Sequence, residues 1–337
     1  MRKLDRRRLE RLIDDFAGVR LLVVGDLVLD EYVWGEVDRV SPEAPVPVVH
    51  VRAETVMLGG AANAARNVVA LGGSVECCSV IGDDAAGHRV EELMKDLGVD
   101  PGGLVRVAGR PTTRKTRIIA RSQQVVRFDR ETFEPPPATA GRALLQAITR
   151  VLPGVDGVVV EDYGKGVLSR RIARSAMQLF TEAGVPVAVD PKADLSHYRG
   201  ASLVKPNLKE AEELAGIRAR SEEDLRRIAT RLRRRIGGAA VVVTRGQHGM
   251  SIFEEEGGPV LHVPTVAREV FDVQGAGDTA IAALTLALRA GGTLHEAAVI
   301  ANAASGVVVG KVGTATATAD EVKAILPEAL AAARGAA

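Results

Sequence analysis

Leu21-Leu22-Val23-Val24-Gly25-Asp26 is a short apolar run closed by Gly-Asp. A buried parallel strand feeding a functional loop has this form, because both of its faces are covered and only its end meets solvent. Similar runs follow at 75–81, 157–160, 185–189, 202–204 and 239–244, with helical patterns between most of them. Strands alternating with helices predict an α/β fold, a mostly parallel central sheet with helices on both faces. Ahead of the first strand, Leu4, Leu9, Leu12, Ile13 and Phe16 stand among charges at near-helical spacing, which predicts a short amphipathic surface helix. Residues 31–53 and 103–129 break the rhythm. They alternate apolar with polar residues and lack helix-length patterns, so they predict antiparallel strands outside the main sheet, a small β lid over a ligand cleft. Pro42, Pro45 and Pro47 confine part of that lid to edges and turns, and Glu134 to Ala138 (EPPPA) marks its end and the entry to a helix.

Composition narrows the function classes. The 337 residues suit a single α/β domain with a sizeable core. With 44 Lys plus Arg against 43 Asp plus Glu, the net charge of +1 gives no global footprint for nucleic acid or an anionic membrane, so small ligands are expected. The two cysteines, Cys77 and Cys78, are adjacent within a strand pattern, which leaves no disulfide framework or zinc site and fits a reducing, cytoplasmic setting. No stretch approaches the roughly 18 apolar residues of a membrane span, and the charged N-terminus holds no signal-peptide core. The arginines at 226–235 follow Glu222, Glu223 and Asp224 without interleaved aromatics, and read as a solvated helix face.

The strongest local signal is Asp272-Val273-Gln274-Gly275-Ala276-Gly277-Asp278-Thr279, followed by the apolar pattern AIAALTLAL. Small residues at 275–277 let the backbone approach an anion, and the helix that starts there directs its free N–H groups and positive dipole end at it. Asp278 falls in the first turn of that helix, where it can accept a proton from an attacking hydroxyl; cradle plus base is equipment for phosphoryl transfer. Gly275-x-Gly277-x-x-Ala280 is not a dinucleotide fingerprint, since two helical stretches follow it, and the run at 306–312 (GVVVGKV) has the wrong spacing for a P-loop. Gly59 and Gly60 open another helix and allow close ligand approach, while Asn63 offers either an amide for a vicinal diol or a helix cap. Asp26 and Asp30 stand at the end of the first strand, and Asp162, Lys165, Asp190 and Lys192 follow later ones, where ligands of open α/β sheets bind. Asn207 and Glu210 share one face of a first helical turn, positioned either to orient magnesium through water or to form a capping box. Thr244 to Gly249 (TRGQHG) links two strands with glycines that let a turn pass close to phosphates.

The order of these motifs resembles the ribokinase-like (PfkB) family of carbohydrate kinases, over roughly residues 18–325. GGAANAARNVVALGG is similar to the family's N-terminal signature, PNLKE to its Asn-x-x-Glu motif, TRGQHG to its nucleotide loop and DVQGAGDT to its C-terminal signature. Within the family the chain most resembles the D-glycero-D-manno-heptose 7-phosphate kinases, the kinase half of the bifunctional heptose kinase and nucleotidyltransferase. The segments behind this closer likeness include SPEAPVPVV, EDYGKGVLS, DPKADLSHYRG and VVVGKVGTAT.

The resemblance implies a ribokinase-like fold and ATP- and Mg2+-dependent phosphorylation of an anomeric hydroxyl, giving a heptose 1,7-bisphosphate for lipopolysaccharide core or S-layer sugar synthesis. It makes Asp278 the base and the amides of Gly275, Ala276 and Gly277 the anion hole. It carries nucleotide binding onto Asn207, Leu208, Lys209 and Glu210, onto Thr244, Arg245, Gly246 and Gly249, and onto Asn302, Gly306 and Gly310. Sugar contacts fall on Asp30, Gly59, Gly60 and Asn63, with Asp162 and Asp190 beside them. Asp272 matches the position that often helps bind a monovalent cation such as K+, and Gln274 departs there from the usual Thr. From charge and position, Lys165, Lys192, Arg117 and Arg127 are the candidates for a substrate phosphate. A homodimer through the lid is expected, with no nucleic-acid or membrane partner. No nucleotidyltransferase half is expected within the chain, so either a separate protein performs the downstream step or the chain is a kinase of a related but different substrate.

Overall fold

The computed structural model describes residues 4–121, 123–192, 194–266 and 270–335. Ser122, inside the second expected lid segment, and Ala193, inside DPKADLSHYRG, lie outside the described residues. In chain order the strands are β1 (Arg20–Gly25), β2 (Leu27–Val40), β3 (Pro47–Gly60), β4 (Ser74–Gly82), β5 (Leu104–Val107), β6 (Arg114–Ala120), β7 (Gln123–Arg130), β8 (Gly157–Glu161), β9 (Val187–Asp190), β10 (Leu203–Val204), β11 (Ala240–Thr244), β12 (Met250–Phe253) and β13 (Val260–Val263). The helices are α1 (Arg6–Asp14), α2 (Ala61–Ala70), α3 (Ala85–Asp96), α4 (Ala138–Val151), α5 (Arg170–Glu182), α6 (Leu208–Ala215), α7 (Glu222–Ile236), α8 (Ala276–Arg289), α9 (Leu294–Val309) and α10 (Ala319–Gly335).

Among the described residues, nine strands form the main sheet in the order β13-β12-β11-β10-β9-β8-β1-β4-β5. It is parallel from β11 to β5, and β12 and β13 extend it antiparallel. Strand β1 shows why the apolar runs are continuous: successive side chains point to opposite faces, and both faces are covered. Leu21 and Val23 belong to the core beneath α2, α8, α9 and α10, whereas Leu22 and Val24 belong to the core beneath α4, α5 and α7. Each such buried side chain contributes on the order of 1.5–3 kcal/mol. The N-terminal helix lies on the body as its spacing predicts. Leu9, Leu12 and Ile13 are buried, Asp5 caps the Arg8 amide, and Arg8 pairs with Glu296 at 2.9 Å.

A second sheet, ordered β3-β2-β6-β7, forms the lid. Strand β2 leaves the main sheet directly after Asp26, and its ladder with β3 runs from Leu27 opposite Gly60 to Val40 opposite Pro47. The lid is therefore longer than the 31–53 expected. One correction concerns its second segment: Leu104–Val107 is the edge strand β5 of the main sheet, paired parallel to β4. An edge strand is half exposed, so its apolar-polar alternation reads like a lid strand. The rest of that segment, from Arg114, does lie in the lid.

Candidate active site

The carboxyl ends of β8, β9, β10 and β11 and the amino end of α8 converge on one cleft of about 980 Å3. This is the crevice in which open α/β sheets bind ligands. Gly275 caps α8 in the left-handed region at φ 76°, and a Cβ there would lie 2.6 Å from the Asn63 amide nitrogen. Only glycine suits that position. No side chain caps the helix; the Ala276 amide reaches back to the Val273 carbonyl at 3.4 Å, and Gly275, Ala276 and Gly277 line the cleft.

Asp278 is buried in the first turn of α8. Its Oδ2 accepts a hydrogen bond from the Asn63 amide at 2.7 Å, and its Oδ1 accepts one from the Tyr163 hydroxyl. Burial raises its pKa to about 6 against the lowering effect of those two bonds, which suits a general base working near neutrality. Asn63 is itself oriented: Arg66 donates to its Oδ1 at 3.2 Å, which turns its amide nitrogen to Asp278. Asn63 thus holds the base, and the diol role read from its amide finds that donor already engaged.

Three groups beside the base were not singled out in the sequence. Lys205, buried at the end of β10, pairs with Asp190 at 2.6 Å, and the Lys205 ammonium lies 3.6 Å from where a Cβ on Gly277 would stand. Burial opposes its charge, but Asp190 and Glu161 outweigh it and hold the lysine protonated above its ordinary value. Glu161 is fully buried with no hydrogen-bond partner on either carboxylate oxygen, and burial pushes its pKa well up. Tyr163 is the third. The LVKPN and VEDYG segments carry all three, but only the neighbouring strand ends show that they face one another.

On the nucleotide side, Asn207, Glu210, Thr244, Arg245 and Gly246 line the same cleft, together with Gly249, Asn302 and Gly306. Leu208, Lys209 and Gly310 do not: Leu208 packs against the core, Lys209 points to Glu213 on the helix surface, and Gly310 ends α9. Asn207 and Glu210 form the reciprocal capping box, at 2.9 and 3.1 Å, and Glu210 keeps its other oxygen beside Lys192 at 3.3 Å. Lys192 lines the cleft beside Glu210. These oxygen donors at the cleft fit a magnesium ion held through water. Asp272 accepts from the Gln274 and Gly313 amides at 2.9 and 3.2 Å, one bond on each carboxylate oxygen.

The residues expected at the sugar engage groups of the protein itself. Gly59 and Gly60 leave room for the protein's own groups: a Cβ on Gly59 would stand 2.1 Å from Asp30 Oδ2, and one on Gly60 2.5 Å from the Asp26 carbonyl. Asp30 is buried in an ion pair with Arg117 at 2.6 Å. Lys165 pairs with Glu131 at 2.8 Å, and Arg127 with Asp129 at 3.0 Å. Asp162 accepts from the Tyr198 hydroxyl at 2.7 Å and from the Gly164 amide at 2.9 Å, which fixes the loop after β8. Asp26 holds that loop from beneath through the amides of Tyr163, Lys165 and Val167.

With this geometry in place, comparison decides the family. Residues 20–321 match the model of the pfkB family carbohydrate kinases. The chain belongs to that family. The bifunctional protein HldE of a Nitratiruptor species is 46% identical over 304 residues, covering 90% of this pfkB chain and 64% of the relative. HldE of Citrifermentans bemidjiense is 44% identical over 322 residues, covering 95% and 66%. This pfkB chain thus spans just under two thirds of the length of those relatives. Among solved structures, the ribokinase of Arabidopsis thaliana complexed with ribose and ATP superposes with a TM-score of 0.72 at 21% identity, covering 91% of this chain and 98% of that one. Phosphofructokinase-2 from Escherichia coli in complex with potassium gives 0.75 at 22%, covering 92% and 98%. The fold is ribokinase-like.

Proposed function

We propose that the chain is an ATP-dependent kinase that phosphorylates the anomeric hydroxyl of D-glycero-D-manno-heptose 7-phosphate to the 1,7-bisphosphate. The observation that carries the chemistry is Asp278, a buried carboxylate with a pKa of about 6 in the first turn of α8, beside uncapped helix amides at the head of a nucleotide-sized cleft. The heptose phosphate as substrate is supported by the resemblance of the EDYGKG, SPEAPVPVV and DPKADLSHYRG segments and by the bifunctional HldE relatives.

In this mechanism Asp278 accepts the proton of the sugar hydroxyl as its oxygen attacks the terminal phosphoryl group of ATP. The amides at Gly275, Ala276 and Gly277 receive the charge that develops on that group, and Lys205 adds a fixed positive charge beneath Gly277. Asn207 and Glu210 would hold a magnesium ion through water, and the ion would supply positive charge against the nucleotide phosphates. The lid encloses the sugar and excludes water, which otherwise competes as acceptor. In this reading one kinase domain spans the chain and works in the cytoplasm, and a nucleotidyltransferase consumes its product.

We further propose a homodimer through the outer lid face, on which Val126 and Phe128 are exposed. Sedimentation should give twice the chain mass, and a monomer at micromolar concentration would contradict it. ADP release measured with the heptose phosphate, fructose 6-phosphate, fructose and ribose tests the substrate. A clear preference for one of the other three would replace the heptose reading and retain the kinase.

A further inference from the structure

We propose that Lys115, on the inner face of the lid, anchors the terminal phosphate of the sugar substrate and so selects sugar phosphates over free sugars. The inference rests on the sugar-phosphate kinase reading above and assigns its specificity to a residue that charge and motif alone did not single out.

Directly paired residues of neighbouring strands share a face, and alternate residues of one strand do too. Lys115 pairs with Asp30 on β2 and with Asp129 on β7, and Tyr32, Arg117 and Arg127 lie on that same face. It is the face turned to the body, since the Tyr32 hydroxyl donates to Gln274 there at 3.2 Å. The neighbouring cations are occupied: Arg117 by Asp30, Arg127 by Asp129 and Lys165 by Glu131. Lys115 has no ion pair among the described residues, and its ammonium lies 5.9 Å from the centre of the Tyr163 ring. Burial lowers its pKa from the ordinary lysine value; Asp30 opposes this, and the positive charges of Lys165 and Arg127 add to it. Beside it, the buried Arg117 Nε has no hydrogen-bond partner. A half-buried ammonium between Asp30 and Asp129, acids already paired with Arg117 and Arg127, and next to an unsatisfied guanidinium N–H, is a site that an anion completes.

Tyr163 also sets the distance. The same ring that carries Lys115 on its face is hydrogen-bonded through its hydroxyl to the base, Asp278. Lys115 Nζ can therefore be no more than about 11 Å from the Asp278 carboxylate. From ordinary bond lengths, the terminal phosphate of an extended seven-carbon sugar lies on the order of 7–9 Å from its anomeric oxygen. One substrate can thus meet the base with its hydroxyl and Lys115 with its phosphate, whereas an unphosphorylated sugar reaches the base and leaves the ammonium unpaired.

The test compares wild type with Lys115→Met, which keeps the apolar stem, and Lys115→Arg, which keeps the charge. Steady-state kinetics are run on heptose 7-phosphate, on the unphosphorylated heptose and on ATP. Losing a charge-assisted contact should raise KM for the sugar phosphate about ten- to a hundredfold in Lys115→Met, with KM for ATP, KM for the free heptose and the melting temperature nearly unchanged, and Lys115→Arg should restore most of the loss. An unchanged KM for the sugar phosphate, or an equal loss toward both sugars, overturns the anchor. Wild-type turnover confined to unphosphorylated sugars overturns the underlying substrate reading as well, and is seen before any substitution is made.

Discussion

At the scale of the residue, Asp278 couples catalysis to stability. Its pKa of about 6 in the folded chain lies above the ordinary carboxylate value, because burial disfavours the charge. A carboxyl raised in this way contributes stability that is fully present below about pH 4 and lost as pH rises through about 6. In Asp278→Asn the amide cannot ionise, yet it can still accept from Asn63 and donate to Tyr163. The variant should melt a few degrees higher than wild type at pH 8 and no higher at pH 4, while turnover falls about a hundredfold or more and ATP binding persists. Melting curves at the two pH values and steady-state kinetics check this; near-normal turnover would remove Asp278 from the role of base. The acid limb of kcat/KM should lie near pH 6 for wild type. Tyr163→Phe removes a donor that favours the ionised base, so the limb should move to higher pH, and a limb that stays in place would leave Tyr163 a packing residue only. Asp278 was legible because a glycine-rich turn, a helix start and an acid sit together in sequence. Tyr163, Lys205 and Glu161 were not, because each matters only through what the ends of β8, β9, β10 and α8 bring within reach of one another.

At the scale of the element, the apolar runs predicted the main strands well, since strands covered on both faces need apolar residues throughout. The lid was legible for the complementary reason: one solvated face imposes alternation. Residues 104–107 were misassigned because an edge strand of the main sheet has the same half-exposed pattern. The Gly59-Gly60 pair was read as a place of close ligand approach, and the groups that stand against it in the structure are Asp30 and the Asp26 backbone. Gly59→Ala therefore tests the junction of β3 and α2. A methyl group 2.1 Å from Asp30 Oδ2 must displace that carboxylate from Arg117. The expected result is a sugar KM raised at least about tenfold with the ATP KM nearly unchanged, as unequal loss of binding to one substrate implies. Equal changes in both would place the damage outside the sugar side.

At the scale of the whole molecule, the chain leaves the main sheet for the lid twice, after β1 and after β5, and the first excursion returns through α2 beside Asp278. Asn63, in the first turn after that return, touches Asp278, and Tyr32 of the lid touches Gln274 of the anion-hole loop. In the proposed mechanism these two short contacts would link sugar enclosure to base alignment. The kinase family follows from sequence and fold together, and the proposed sugar specificity is assigned to Lys115 of the lid. The most direct test of the account is ADP release from ATP and magnesium by the intact chain, with D-glycero-D-manno-heptose 7-phosphate beside fructose 6-phosphate, fructose, ribose and unphosphorylated heptose. The account predicts a kcat/KM for the heptose phosphate well above that for every other sugar, and equal or greater turnover of any of the others would contradict it.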